Sequence, residues 1–108
     1  MEKISVCIPT YNRASHLRNC LHSITLNSFL DPDYTQICVS DNCSTDGTVD
    51  VVEQMKDKLK IKYAKNERNY GLAINILKVV EMADGEFIWL VGDDDLLLPC
   101  ALGQIYEL

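Results

Sequence analysis

Apolar residues in this chain fall into two alternating rhythms. Lys3-Ile4-Ser5-Val6-Cys7-Ile8 is a short apolar run closed by Pro9, whose missing N–H suits a ladder end, and it predicts a buried strand. Gln36-Ile37-Cys38-Val39-Ser40 predicts a second strand, Leu59 to Ala64 a third with weaker alternation, and Glu86 to Val91 a fourth. Between them, Leu17, Cys20, Leu21 and Ile24 recur at helical spacing, as do Ala73, Ile76, Leu77, Val80 and Ala83. Each stripe predicts a helix with that face turned inward. A shorter helix is expected after Asp46-Gly47-Thr48, with Val51, Val52, Met55 and Leu59 inward, and another after Pro99, a residue suited to a first helical turn. Only the connection from Asn27 to Thr35 is long, and Asp31-Pro32-Asp33 marks a turn within it.

Strands that alternate with helices imply a parallel sheet with right-handed crossovers and helices on both faces. The expected class is α/β, a Rossmann-like three-layer α/β/α arrangement with a mostly parallel sheet. At 108 residues, 47% of them hydrophobic, the chain suits one domain over residues 1–108. Ala101 to Leu108 reads as an amphipathic helix that has just begun, so the domain is expected to be a truncated part of a longer protein.

Charge narrows the partners. A net charge of -6 argues against nucleic acid, which demands clustered Lys and Arg, and an anionic ligand would need a metal or local cations beside it. No apolar run reaches the ~18 residues of a membrane span, and Met1-Glu2-Lys3-Ile4 lacks the plan of a signal peptide, so a cytoplasmic location is expected. Five cysteines, Cys7, Cys20, Cys38, Cys43 and Cys100, show no CxxC spacing and are expected to be reduced and mostly buried.

The fourth apolar run ends in Gly92-Asp93-Asp94-Asp95. Extended chain would project Asp93 and Asp95 to one side and Asp94 to the other. Two carboxylates on one side repel unless a cation lies between them, and hard oxygen ligands suit Mg²⁺ or Mn²⁺ carrying phosphate oxygens. Ligands of open α/β sheets collect at strand carboxyl ends. There the chain also places Pro9-Thr10-Tyr11-Asn12, Asp41 to Asp46, and Asn66 to Gly71. Tyr11 offers a ring for stacking, Thr10 a hydroxyl, and Asp41 an acceptor for a nucleobase N–H or a ribose hydroxyl. Asn12, Ser44, Thr45 and Asp46 are also natural helix N-caps, and free N–H groups from Thr10 to Arg13 could hold a phosphate. Arg68 is the cation expected nearest the crevice, although a solvated loop arginine is the safer reading.

Other chemistries find no support. The five glycines form neither G-x-G-x-x-G nor a P-loop, and a phosphoacceptor receiver domain needs acids directly after the first strand, where Pro9-Thr10-Tyr11 stands. His16 and His22 read as surface residues of the first helix, Trp89 as core, and no nucleophile set emerges.

Taken together, four elements in order resemble family 2 glycosyltransferases of the GT-A type, in their N-terminal nucleotide-sugar-binding half. They are Ile4 to Arg13 with its Pro-Thr-Tyr-Asn turn, Val39 to Thr48, Asn69-Tyr70-Gly71 at the head of the third helix, and Gly92 to Asp95 followed by Leu96-Leu97-Leu98-Pro99. The resemblance implies a nucleoside-diphosphate sugar donor, an Mg²⁺ or Mn²⁺ cofactor, and hexosyl-type transfer to a saccharide or lipid-linked acceptor, typically with inversion, in polysaccharide or glycolipid synthesis. It also implies nucleotide contacts from Pro9, Thr10, Tyr11, Asn12, Asp41, Arg68, Asn69, Asp93 and Asp94, with the metal on Asp93 and Asp95, chiefly Asp95. The general base and most acceptor contacts would lie beyond Leu108, so the fragment alone is expected to transfer sugar poorly. Any membrane association, at the inner face, would rest on those regions too. Asn42 and Cys43 replace the usual Asp and Gly, and Gly92 stands where an acid is commoner. The competing reading is a non-catalytic nucleotide- or metal-binding module of the same fold.

Overall fold

All four apolar runs become strands of one parallel sheet. The computed structural model describes residues 3–107, in the order β1 (Ile4–Thr10), α1 (Ala14–Thr25), β2 (Thr35–Asp41), α2 (Thr48–Met55), β3 (Ile61–Lys65), α3 (Leu72–Glu81), β4 (Phe87–Leu90) and α4 (Ala101–Tyr106). Met1, Glu2 and Leu108, the ends of the expected unit, lie outside the described residues. The strand order is β3-β2-β1-β4. β1 therefore pairs on both edges, with Ile4 to Thr10 against Thr35 to Asp41 and Ile4 to Cys7 against Phe87 to Leu90. Connectivity runs from β1 outward through β2 to β3 and then returns to the other side of β1, which puts a topological switch point between β1 and β4.

Pro9 does not end β1 as expected. It pairs with Ser40, and the strand continues to Thr10. The reason lies in which edge each residue faces. Val91 N–H donates to Cys7 O on the β4 side, and Asn42 N–H donates to Thr10 O on the β2 side. Pro9 shares the Cys7 edge and sits beyond Leu90, the last residue of β4, so its missing donor removes no ladder bond.

Alternation along the strands divides two faces. Ile4, Val6, Ile8, Ile37 and Val39 join Leu17, Leu21, Ile24, Val51 and Val52 in the main core beneath α1 and α2. Ser5, Cys7, Gln36, Cys38 and Ser40 occupy the alternate positions, and there only Cys7, Cys38 and Val79 form a small buried apolar cluster under α3. Helices thus cover both faces, the expected three layers. Cys7, Cys20 and Cys38 are buried, Cys43 is half-buried and Cys100 exposed, all as free thiols.

The stripe expected to face inward on α3 is rotated. Asn75 and Val79 are buried, Ile76, Val80 and Ala83 are half-buried, and Ala73 is exposed along with Leu77, which is 63% exposed. The polar anchor decides this. Asn75 Nδ2 donates to Ser40 O at 3.0 Å and Ser40 Oγ donates to Asn75 Oδ1 at 2.7 Å, and two satisfied buried hydrogen bonds fix which side of the helix meets the sheet. β4 also departs from a buried strand, since Phe87, Ile88 and Leu90 are exposed at the sheet edge while Trp89 packs against the main core.

Entry into β4 is held by a polar clasp. Gly85 N–H donates to Ser5 Oγ, whose hydrogen goes to Gln36 Oε1, and Gln36 Nε2 donates to Asp84. A Cβ on Gly85 would lie 2.7 Å from Ser5 N. Gly85→Ala is therefore expected to cost about 1–3 kcal/mol through backbone displacement. A lowered urea midpoint at unchanged slope checks it, and an unaltered midpoint means the clasp yields freely.

Candidate functional site

A crevice of about 430 Å³ opens at the carboxyl ends of β1, β2 and β4. Its lining comprises Pro9, Thr10, Tyr11, Arg13, Asn42, Asn69, Gly71, Leu72, Asn75, Gly92 and Asp93. Strand order places the acids at one end, after β4, and the amides at the other, between β2 and α3.

The acidic end is a turn rather than extended chain. Asp95 N–H donates to Gly92 O, and Asp95 Oδ2 accepts from Gly92 N–H at 2.9 Å. The alternation expected from extended chain is lost, so Asp93 and Asp94 come together on Arg13 while Asp95 folds back on its own turn. Arg13 Nη1 lies 3.6 Å from Asp93 Oδ1 and 3.5 Å from Asp94 Oδ2. Asp93 is 8% exposed and accepts a 2.9 Å hydrogen bond from Thr10 Oγ1, which ties the ends of β1 and β4 together. Burial pushes the Asp93 carboxyl up from its ordinary pKa, opposed by Thr10 and Arg13. Cys20 lies beneath, its thiol directed at Gly92 O, and burial followed by the charges of Asp95, Asp93 and Asp94 pushes it up to about 12. One guanidinium against three carboxylates leaves an excess of negative charge. Hard carboxylate oxygens on a partly exposed turn fit a divalent cation, although the described residues hold no preformed cluster of three such ligands.

Several expected site residues are engaged within the protein and do not line the crevice. Asp41 is 1% exposed and outside the crevice lining: Ser44 N–H and Oγ donate to its Oδ1, and the Tyr63 hydroxyl donates to Oδ2 at 2.6 Å. Burial and that carboxylate push the Tyr63 phenol above its ordinary range. Asn12 neither lines the crevice nor caps α1. With φ at 50° it laces the first loop to the second, its N–H donating to Ser44 Oγ and its Oδ1 accepting from Thr45 N–H. Asp46 caps instead, accepting from Ala14 N–H at the head of α1 and from Thr48 at the head of α2. Of the N–H groups from Thr10 to Arg13, that of Asn12 is thereby spent on Ser44 Oγ. Arg68 stacks 5.1 Å over the Tyr70 ring, outside the crevice lining. Arg13 takes the place expected of it.

At the amide end, Asn42 links three chain segments. Its Nδ2 donates to Asn69 Oδ1 and Gly71 O, and its Oδ1 accepts from Asn66 Nδ2 and Tyr70 N–H. Gly71, at φ 89°, opens α3 in a conformation that favours glycine. Leu72 and Asn75 lay outside every loop expected at the crevice, and the side chains of Arg13 and Asn42 were not expected as contacts although their loops were placed there. For Arg13 the signal was its place one residue before α1, and for Asn42 its place one residue past β2.

A family model described as Glycosyl transferase family 2 matches residues 5–108. The chain belongs to glycosyl transferase family 2. Within this family it is 41% identical over 101 residues to the abequosyltransferase RfbV of Salmonella typhimurium, covering 92% of this chain and 30% of that protein. It is 39% identical over 110 residues to the GalNAc(5)-diNAcBac-PP-undecaprenol beta-1,3-glucosyltransferase of Campylobacter jejuni, covering 99% and 34% respectively. Staphylococcus aureus TarS 1-349, solved in complex with UDP-GlcNAc, superposes with a TM-score of 0.91 at 31% identity over 97% of this chain and 30% of that one. The mannosyltransferase PcManGT of Pyrobaculum calidifontis, solved with GDP-Man and Mn²⁺, shares the fold at a TM-score of 0.86 and 24% identity, over 97% and 31%. The family 2 chain thus spans about a third of the length of these relatives, and its four-stranded parallel sheet is the GT-A arrangement.

Two outcomes follow for this family 2 fold. Cys43 holds φ at 68°, a left-handed conformation that explains why glycine is usual there. Cys43→Gly is expected to stabilise by up to about 1 kcal/mol, read from the denaturation midpoint, and a loss of stability would assign more weight to the Sγ contact with Glu67 O. The hydrogen bond from Thr48, then those from the Ala14 and Thr48 N–H groups, hold Asp46 below its ordinary 3.8. Its contribution is present above that pH and lost as pH falls through the lower folded value. Asp46→Asn should flatten this part of the acid-stability profile, and an unchanged profile removes the carboxylate from the acid response.

Proposed function

We propose that this chain is the donor-binding part of a glycosyltransferase that moves a sugar from a nucleoside diphosphate to an acceptor hydroxyl with inversion, in polysaccharide or glycolipid assembly. The observation that carries the reading is the acidic turn pinned into the crevice by Thr10 and Arg13. Support comes from the names of the relatives, which are glycosyltransferases, one of them with a lipid-linked acceptor in its name and another solved with UDP-GlcNAc.

In this reading the base stacks by Tyr11 and Pro9 toward the amide end, and the diphosphate reaches the turn. Asp93 and Asp95, with Asp94 beside them, are the residues that would hold Mg²⁺ or Mn²⁺, and the cation would supply positive charge to offset that of the departing diphosphate. Thr10 orients Asp93, and Arg13 holds Asp93 and Asp94 against their mutual repulsion. The acceptor oxygen bonds to the anomeric carbon as the bond from that carbon to the diphosphate oxygen breaks, the electron pair leaving with the nucleoside diphosphate. The acceptor proton goes to a base outside residues 3–107, on the opposite face of the sugar. Residues 1–108 alone then bind donor and transfer it poorly. The setting is the cytoplasm, at the inner membrane face where the acceptor is lipid-linked, with no nucleic acid involved.

Calorimetry of the intact protein with nucleoside diphosphates and Mn²⁺ tests this. Asp93→Asn and Asp95→Asn are each expected to weaken metal-dependent binding at least about tenfold, the scale of one lost charge-assisted contact. Chelation should do the same to the parent protein. Binding of equal strength in all three cases would overturn the metal-bridged donor site, and binding without any transfer to acceptors by the intact protein would favour the non-catalytic module.

A further inference from the structure

The amide end of the crevice has a polarity of its own. Asn42, Asn69 and Asn75 line it, and every side-chain oxygen among them is filled. Asn42 Oδ1 accepts from Asn66 Nδ2 and Tyr70 N–H, Asn69 Oδ1 from Asn42 Nδ2 and Gly71 N–H, and Asn75 Oδ1 from Ser40 Oγ and Asn66 Nδ2. An amide oxygen has two lone pairs, so none is left to accept. Backbone groups set these orientations. Tyr70 and Gly71 N–H can only donate, so the oxygens of Asn42 and Asn69 must face them, and Ser40 O can only accept, so Asn75 must turn its nitrogen there. Donors remain: among the described residues Asn69 Nδ2 makes no hydrogen bond, and Asn75 Nδ2 uses one hydrogen of two. The carboxylate nearby, Asp41, is buried and held by Ser44 and Tyr63.

Uracil, thymine and guanine each present a ring N–H that needs an acceptor. Cytosine presents N3 and O2 as two adjacent acceptors with no ring N–H between them, and its exocyclic N4 amino group at the end of that edge faces solvent in this pose. Leaving a desolvated donor unpaired costs more than a good bond returns, so a wall of donors selects by rejection as well as by attraction. Proteins of this fold have been solved with both uridine and guanosine nucleotides, so the base is not set by the fold. We propose that this crevice is selective for cytidine diphosphate sugars, with the side-chain amides of Asn69 and Asn75 reading the acceptor edge of cytosine and Asn42, whose two amide hydrogens go to Asn69 Oδ1 and Gly71 O, acting as a positioning residue. The inference rests on the donor-site reading above.

Titration of the intact protein with CDP, UDP, dTDP and GDP at saturating Mg²⁺ tests it, because the four share their diphosphate and differ at the base. CDP is expected to bind about ten- to a hundredfold tighter than UDP. Asn42→Asp replaces a spent donor by a carboxylate and should shift the CDP to UDP preference at least about tenfold toward UDP. Asn69→Asp, on the exposed rim, should weaken CDP alone, which keeps the test open if the Asn42 variant fails to fold. UDP, dTDP or GDP binding as tightly as CDP, or an unchanged preference in a folded variant, overturns the cytosine assignment and leaves the donor site standing. Binding of none of the four removes both.

Discussion

β1 is hydrogen-bonded along both edges, and the crevice inherits its geometry from that fact. Because β2 and β4 run parallel to β1 in fixed register, their carboxyl ends emerge on one side of the sheet with Thr10 between them. Thr10 then reaches Asp93 across the gap left where β4 stops. A proline in the central strand is tolerated only because it falls beyond that stop, so the shortness of β4 both opens the crevice and accommodates Pro9.

Electrostatics set the character of the acidic end. Three carboxylates sit in one tight turn against a single guanidinium and one hydroxyl, and beneath them burial first, and then their charges, push the Cys20 thiol up. A buried carboxylate such as Asp93 resists ionisation unless positive charge approaches it. The protein supplies part of that charge through Arg13, and the remainder is what a bound cation would add.

The opposite end is neutral, and its amide oxygens are filled from within the protein. Asparagines from the loop after β2, the loop after β3 and the first turn of α3 exchange hydrogen bonds until the oxygens of Asn42, Asn69 and Asn75 are full, and the Asn75 bonds to Ser40 also dictate which side of α3 meets the sheet. Asn12, Ser44, Thr45 and Asp46 do similar work between the first two loops. Loops tied to each other in this way form a crevice wall with little freedom to rearrange, so its donors and acceptors are presented in fixed positions to whatever enters.

Much was legible in the residue order alone. Periodicity in two, then in three and four, determined the strands and helices, their alternation determined a parallel three-layer sheet, and the clustering of Thr10, Tyr11, Asn69 and the acids at strand ends determined where a crevice would lie. Residue types, however, do not say where a side chain spends its hydrogen bonds. Asp41 was expected in the crevice and is consumed by Ser44 and Tyr63, Arg68 is drawn to the Tyr70 ring, and Arg13 and Asn42 enter only because helix and strand ends bring them beside partners dozens of residues away. The acidic triplet shows the same division. Sequence determined that three carboxylates follow a strand, and only the tertiary structure decided that a turn, closed by Asp95 on Gly92, pairs Asp93 with Asp94, because turn geometry and long-range partners override the alternation that an isolated extended chain would keep.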